Sequence, residues 1–341
     1  MRTAAVDIAS LPEHVEAPVL IVSTVAGRGM YSLAEALQER LAALDVVGHV
    51  AVESYLPANG VAQDLERYRL ISNRMPALLH LVHRIPIFYY RKYVRESLSR
   101  WSDLHALKAL VETLNPRTVL CVSHRPAFWV STLKKRERMS FKLWGVLGEY
   151  GNTLGWRYIF WEEMDGFLSP LSPNELTYPF PDSLEFLQID LPARQAYYSV
   201  ADQPGDPHAI LLVCGYWGQG PIVSVVRTIL AEEPGLSVTV VCGQNSAAAA
   251  RARLAFCGYP NVEVRGVVDS LLPFVARCGC IVTKPGISTL LEAFVARRKI
   301  FLLKGIPVAE DNNARYAVHH FGAEWFTRES FRAWRRSLEV S

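Results

Sequence analysis

The chain has 341 residues, of which 50% are hydrophobic and 20% charged, and this balance excludes a disordered, collagen-like or coiled-coil protein. The formal net charge is only +3, with 36 Lys and Arg against 33 Asp and Glu, which excludes a protein that mainly coats nucleic acid. Because single hydrophobic cores stop growing near ~250–300 residues, the length favours two domains.

The predicted elements alternate between strands and helices. The first strand covers residues 18–24 and is followed by Gly27, Arg28 and Gly29 and then by apolar residues at helical spacing. Similar apolar runs, typical of buried parallel strands, cover 117–123, 141–147, 210–214, 237–242, 280–283 and 299–303. We therefore expect an α/β fold. A polar segment with two prolines at 199–208 predicts a linker, which divides the chain into domains of residues 1–200 and 201–341.

The N-terminal residues and the cysteines indicate a cytoplasmic protein. Residues 1–18 contain a single Arg and no long apolar core, so we expect no signal peptide. The six cysteines show no zinc-like spacing and mostly lie in apolar runs. We expect buried free thiols and no metal site.

The positive charge is concentrated in one segment. Residues 67–100 contain eight Lys and Arg and a single acid, Glu96, interleaved with aromatic and aliphatic side chains. Cations beside apolar rings are typical of a segment that contacts an anionic membrane. The alternative is an ordinary amphipathic helix pair that packs on the first domain. Since no nucleic-acid-binding motif accompanies these charges, we expect no nucleic-acid partner.

The most informative segment follows the predicted strand that ends at Thr283. Residues 283–293 are Thr-Lys-Pro-Gly-Ile-Ser-Thr-Leu-Leu-Glu-Ala. Residues 285–286 predict a tight turn, and Ser288 or Thr289 is placed to cap a helix whose first N–H groups bind a diphosphate. One turn later, Glu292 is placed to accept hydrogen bonds from a ribose diol. Taken alone, the segment is also explained by a plain turn with a surface glutamate.

A second polar segment follows the next predicted strand and strengthens the first. Residues 307–316 are Pro-Val-Ala-Glu-Asp-Asn-Asn-Ala-Arg-Tyr. Together the two segments resemble the donor-binding half of the monogalactosyldiacylglycerol synthases, the processive diacylglycerol glucosyltransferases and the related MurG-type enzymes. Residues 22–37 resemble this group's first strand, glycine loop and helix, and residues 148–156 resemble its Asp-Phe-x-x-His-x-x-Trp motif. The resemblance covers roughly residues 18–326.

The resemblance implies a GT-B fold, in which two Rossmann-like domains with parallel sheets face a cleft. It implies an inverting transfer of a hexosyl unit from a UDP-sugar to a diacylglycerol-type lipid or other hydroxyl acceptor, on the inner face of the membrane. The UDP-sugar is a co-substrate, and no cofactor is expected. The implied donor-binding residues are Gly215, Gly218, Gly220, Val267, Val268, Pro285, Gly286, Ser288, Thr289, Glu292, Glu310, Asp311 and Asn313. The implied acceptor-binding residues are Gly27, Arg28, Gly29 and Met30.

The chain departs from the group's pattern where proton transfer is expected. The group's glycine loop usually ends in a histidine, but this chain has Met30, which cannot take a proton. Glu149 stands in place of the group's aspartate, and we expect it to deprotonate the acceptor hydroxyl. His124 is the remaining catalytic candidate. The simpler explanation for each is a structural role, Glu149 at a strand end and His124 as a lone histidine.

Further departures support alternative functions. Thr153 replaces the group's second histidine, and Ile287 and Ala309 replace a glycine and a glutamine of the donor motif. Met30, Ile287 and Ala309 favour a non-catalytic relative that binds a sugar nucleotide or a lipid. A third possibility is a GT-B enzyme that glycosylates a soluble natural product.

Overall fold

The computed structural model describes residues 14–25, 28–56, 66, 70, 104–305 and 309–339. The chain folds as two compact units. The first unit comprises the described residues of Met1–Arg194 and Ile306–Asn312, and the second comprises those of Gln195–Gly305 and Asn313–Ser341. The basic segment 67–100 and Gly27 lie outside the described residues, apart from Leu70.

The first unit is built on parallel strands. Its elements are β1 (Val19–Ser23), α1 (Gly29–Arg40), β2 (Val46–Ala51), α2 (His105–Leu114), β3 (Thr118–Val122), α3 (His124–Glu137), β4 (Lys142–Val146), β5 (Gly166–Ser169) and β6 (Glu185–Gln188). The strand order is β2-β1-β3-β4-β5-β6, with every pair parallel. Because β1 lies between β2 and β3, the order reverses at the β1/β3 boundary, and open α/β sheets bind ligands at such a reversal.

The second unit has the same architecture. Its elements are α4 (Gln195–Tyr198), β7 (Asp206–Val213), α5 (Ile222–Glu232), β8 (Ser237–Val241), α6 (Ser246–Ala255), β9 (Val262–Arg265), α7 (Leu272–Arg277), β10 (Cys278–Thr283), α8 (Ile287–Val295), β11 (Lys299–Leu302), α9 (Ala309–His320), β12 (Glu324–Trp325) and α10 (Arg328–Glu339). The first residues of α9, up to Asn312, belong to the first unit. The parallel strands lie in the order β12-β11-β10-β7-β8-β9, which reverses between β7 and β10. The residues after β7 and β10 therefore meet at the carboxyl edge of this sheet.

The predicted α/β class is confirmed by the two parallel sheets. All seven predicted strands are present, because each contains a largely apolar run that is mostly buried. Five strands were not predicted, namely β2, β5, β6, β9 and β12. Strands β2, β6, β9 and β12 are partly exposed or carry charged residues, whereas β5 is buried but only four residues long. Residues 206–208, expected in the linker, are the first residues of β7. Within the described ranges, no helix has the length and apolar composition needed to cross a bilayer.

Arg298 joins three segments of the second unit. It is only 7% exposed, and its guanidinium donates hydrogen bonds to the carbonyls of Val275, Ala276, Val200 and Gln203 at 2.8–3.3 Å. Burial lowers the pKa of Arg298. The neighbouring Arg297 is exposed and contacts Asp202 at 3.3 Å. The two adjacent arginines therefore differ in how much they contribute to stability.

We expect Arg298→Met to lower the free energy of unfolding by about 2–4 kcal/mol, because it leaves buried carbonyls without donors. Arg297→Met removes an exposed ion pair and should change it by less than about 1 kcal/mol. Urea unfolding of the two variants measures the difference. Equal losses would show that the buried hydrogen bonds do not distinguish the two positions.

Candidate functional site

The expected acceptor loop begins at the carboxyl end of β1. Arg28 has a left-handed backbone (φ 60°), and its guanidinium lies 5.9 Å from the centre of the Tyr31 ring. Gly29 and Met30 are the first residues of α1. A β-carbon on Gly148 would lie 2.6 Å from Sδ of Met30, so the thioether packs directly against Gly148. The Met30 side chain therefore packs against Gly148, the residue directly before Glu149.

Glu149 follows the carboxyl end of β4. Its side chain is partly buried, and burial is the main cause that raises its pKa from 4.5 to about 8. The negative charge of Glu310 is the second cause. Glu310 is 9% exposed, and Asn312, two residues further along α9, packs against Gly151. Two carboxyl groups in one environment favour the protonated form of one of them, here Glu149.

His124 begins α3, directly after β3. Its imidazole packs on Gly155, where the absence of a side chain makes room for the ring. Its Nδ1 lies 3.4 Å from Oγ1 of Thr153, and its ring lies 6.1 Å from that of Trp156 in an edge-on arrangement. The structure therefore brings His124 to the loop that carries Glu149.

Glu53 is a residue that the sequence did not single out. It lies just after β2, is 8% exposed, and accepts hydrogen bonds from the Thr24 hydroxyl and the Val25 amide. Nε of Arg125 lies 3.3 Å from its Oε1. Glu53 therefore joins the start of the acceptor loop to the residue after His124. The sequence analysis missed Glu53 because it did not predict β2. A prediction of that strand would have shown a carboxylate directly after its end.

The glycine loop of the second unit follows β7. Gly218 has a φ of 58°, and a β-carbon there would overlap the carbonyl oxygen of Cys242, so only glycine fits. Gly215 (φ 71°) lies next to the Lys284 side chain. The expected donor residues Gly215, Gly218 and Gly220 therefore form one turn at the β7/β10 reversal.

The turn after β10 completes this edge of the second sheet. The Thr283 hydroxyl and the Gly286 amide both donate to the carbonyl of Lys284, at 3.0 and 2.8 Å. Gly286 is the N-cap of α8, so Ser288 and Thr289 lie in the first turn rather than at the cap position. The expectation that either residue caps the helix is wrong. Since glycine has no side chain, the first amides of α8 are left for another acceptor.

The remaining candidate donor-binding residues differ in burial and in position. Glu292 is 3% exposed on α8. Asn313 is fully buried, and its Nδ2 donates to the carbonyl of Pro285 at 3.1 Å, so it supports the turn. Val267 and Val268 follow β9, with Val267 55% exposed and Val268 packed against the core. Asp311 is exposed and, like Glu310, belongs to the first unit.

Among the described residues, no group of three or more His, Cys, Asp or Glu is arranged to hold a metal ion.

Sequence comparison identifies lipid glycosyltransferases as relatives. The processive diacylglycerol beta-glucosyltransferase of Bacillus mycoides is 23% identical over 317 residues, which cover 87% of this chain and 79% of the relative. The probable monogalactosyldiacylglycerol synthase 2 of Oryza sativa subsp. japonica is 30% identical over 135 residues, only 38% of this chain and 28% of the relative. No protein-family model matches the chain.

Solved structures share the fold at low sequence identity. MurG of Acinetobacter baumannii superposes with a TM-score of 0.53 and 13% identity, over 94% of this chain and 90% of MurG. The UDP-GlcNAc 2-epimerase of Neisseria meningitidis, bound to UDP-GlcNAc, has a TM-score of 0.55 and 11% identity, over 94% and 91%.

The chain is a homologue of the GT-B glycosyltransferases. The predicted GT-B fold is confirmed, and the comparisons support a glycosyltransferase of the GT-B type. The likeness to an epimerase shows that the fold alone does not decide the reaction.

The raised pKa of Glu149 predicts a pH-dependent stability. Between pH 4.5 and about 8 the folded chain retains a proton that the unfolded chain releases, so stability falls as pH rises through this window. We expect Glu149→Gln to remove this part of the decline, because glutamine does not ionise. Urea unfolding across the same window measures the slope.

The control is Glu112→Gln, which removes an exposed carboxylate on α2 and should leave the slope unchanged. Identical slopes for the wild type and Glu149→Gln would contradict the assignment of a raised pKa to Glu149.

Proposed function

We propose that this GT-B homologue transfers a hexosyl unit from a UDP-sugar to a lipid acceptor of the diacylglycerol type, with inversion at the anomeric carbon. The observation that carries the proposal is the convergence of the glycine loop after β7 and the start of α8 at the β7/β10 reversal. Backbone amides at a helix N-terminus favour a diphosphate. The diacylglycerol glucosyltransferase relative supports the lipid acceptor, and the UDP-GlcNAc-bound neighbour supports the nucleotide sugar.

Glu149 is the proposed general base. Its carboxylate would take the proton of the acceptor hydroxyl while the acceptor oxygen forms a bond to the anomeric carbon. The bond from that carbon to the diphosphate breaks, and UDP leaves with the electron pair. With a pKa of about 8, Glu149 is a stronger base than an ordinary glutamate. Its pKa lies close to neutral pH, where a general base is most effective.

The proposed donor contacts come from the turn after β10. The amides at the start of α8 would bind the diphosphate, and Glu292 would accept hydrogen bonds from the ribose. Val267 and Val268 would present the backbone edge that reads the uracil. We further propose that the basic segment 67–100 holds the enzyme on the inner face of an anionic membrane, as a peripheral protein. No cofactor or metal ion takes part in this scheme.

A non-catalytic, nucleotide-binding relative is the second candidate. It is favoured by Met30, which packs against Gly148 at the position where the glycosyltransferase group carries a histidine. Such a protein would bind UDP and release no glycosylated product. An enzyme that acts on a soluble natural product would instead form product without requiring lipid.

The test of function is hexosyl transfer from a set of UDP-hexoses to diacylglycerol in anionic vesicles. We expect Glu149→Gln to lower the transfer rate by about 10²–10⁴-fold, because it removes the general base. UDP affinity measured by calorimetry should stay within about twofold, because Glu149 is not a proposed donor contact. Glu112→Gln is the matched control and should behave as the wild type.

Three outcomes separate the candidates. Wild-type binding of UDP without any product supports the non-catalytic relative and contradicts the transferase. Product formed only with a soluble acceptor contradicts the lipid acceptor. Transfer by Glu149→Gln at the wild-type rate would remove Glu149 from the reaction.

A further inference from the structure

Lys284 is a buried cation at the β7/β10 reversal. It is the first residue after β10 and is only 8% exposed. It lies beside Gly215 of the glycine loop and two residues before the N-cap of α8, so it stands where the two segments of the candidate anion site meet.

The glycine loop is shaped around this lysine. A β-carbon on Gly215 would lie 3.3 Å from Cε and 3.6 Å from Nζ of Lys284, so the absence of a side chain at Gly215 leaves room for the ammonium group. Burial raises the pKa of the Cys214 thiol to about 12, and the charge of Lys284 acts in the opposite direction. Both observations place the Lys284 ammonium group next to Cys214 and Gly215, where the glycine loop begins.

Gln219 provides the second, independent observation. Nζ of Lys284 donates to Oε1 of Gln219 across 3.4 Å, a long hydrogen bond. The other amide atom of Gln219, Nε2, is buried and has no hydrogen-bond partner among the residues that the structure describes. A buried donor without an acceptor is unfavourable, and an acceptor that binds beside it, such as a phosphate oxygen, would satisfy it.

Two helix N-termini flank these side chains. Pro221 is the N-cap of α5 and Gly286 that of α8, and neither residue has a side chain that accepts a hydrogen bond. The first amides of both helices therefore favour an anion. The Lys284 ammonium, the Gln219 amide and the amides of two helix N-termini form one set of hydrogen-bond donors on two adjacent loops.

We propose that Lys284 and Gln219 bind the diphosphate of the nucleotide donor and that Lys284 neutralises the charge that develops on it as it leaves. This inference rests on the proposed function and adds to it the two side chains that recognise the diphosphate. When the bond from the anomeric carbon to the diphosphate oxygen breaks, the electron pair stays on that oxygen. Lys284 stabilises this charge electrostatically, while the proton of the acceptor hydroxyl goes to Glu149.

The experiment compares the binding of UDP, UMP and uridine to the full chain by calorimetry. Lys284→Met removes the charge and keeps an unbranched apolar side chain. We expect it to weaken UDP by about 10–100-fold, as for the loss of a charge-assisted hydrogen bond, and UMP by less. Uridine should change by less than about twofold, because it carries no phosphate.

Two further variants separate charge from structure. Gln219→Leu should weaken UDP by about 3–10-fold and leave uridine unchanged. Lys284→Arg restores a positive charge and should recover part of the UDP affinity lost in Lys284→Met. Arg227→Gln is the matched control, because it removes an exposed cation from α5 of the same unit and should bind all three ligands as the wild type does.

The outcomes distinguish this inference from the proposed function. If the wild type binds none of the three ligands, the proposed function fails and the inference fails with it. If the wild type binds UDP and Lys284→Met binds it equally well, only the inference is overturned. A loss in Lys284→Met that is as large for uridine as for UDP would show a structural role and would also overturn it.

Discussion

The reversal of strand order in the second sheet is the constraint on which the candidate site depends. Because β7 lies between β8 and β10, the segments that leave β7 and β10 turn to opposite sides and open the carboxyl edge between them. The glycine loop and the start of α8 occupy this edge. Lys284 lies between them, and its burial follows from the position of its strand. The chemistry proposed for the second unit is a consequence of this topology.

In the first unit, the candidate residues also lie in loops at the carboxyl ends of parallel strands, but the proposed chemistry there is acceptor binding and proton transfer. Acceptor and base candidates follow β1, β3 and β4, and buried polar contacts hold these loops together. Glu53 joins the loop after β1 to Arg125, and Thr153 joins His124 to the loop of Glu149. Met30 contributes packing where a histidine would contribute proton transfer. The proposed mechanism therefore assigns proton removal to Glu149, whose burial raises its pKa.

Much of the fold could be predicted from the sequence, because central parallel strands are apolar on both faces. Partly exposed or charged strands such as β2 and β9 carry no such signal, and Glu53 was missed together with β2. The motif from Thr283 to Glu292 was visible as a local pattern. The contact between Lys284 and Gln219 spans 65 positions and depends on the packing of two strands, so no local pattern indicated it.

The most direct measurement is a crystal structure of the chain with UDP bound. The account predicts diphosphate oxygens within hydrogen-bond distance of Nζ of Lys284, Nε2 of Gln219 and the first amides of α8. A nucleotide bound at another edge of the sheet, or a diphosphate turned away from Lys284 towards solvent, would contradict it.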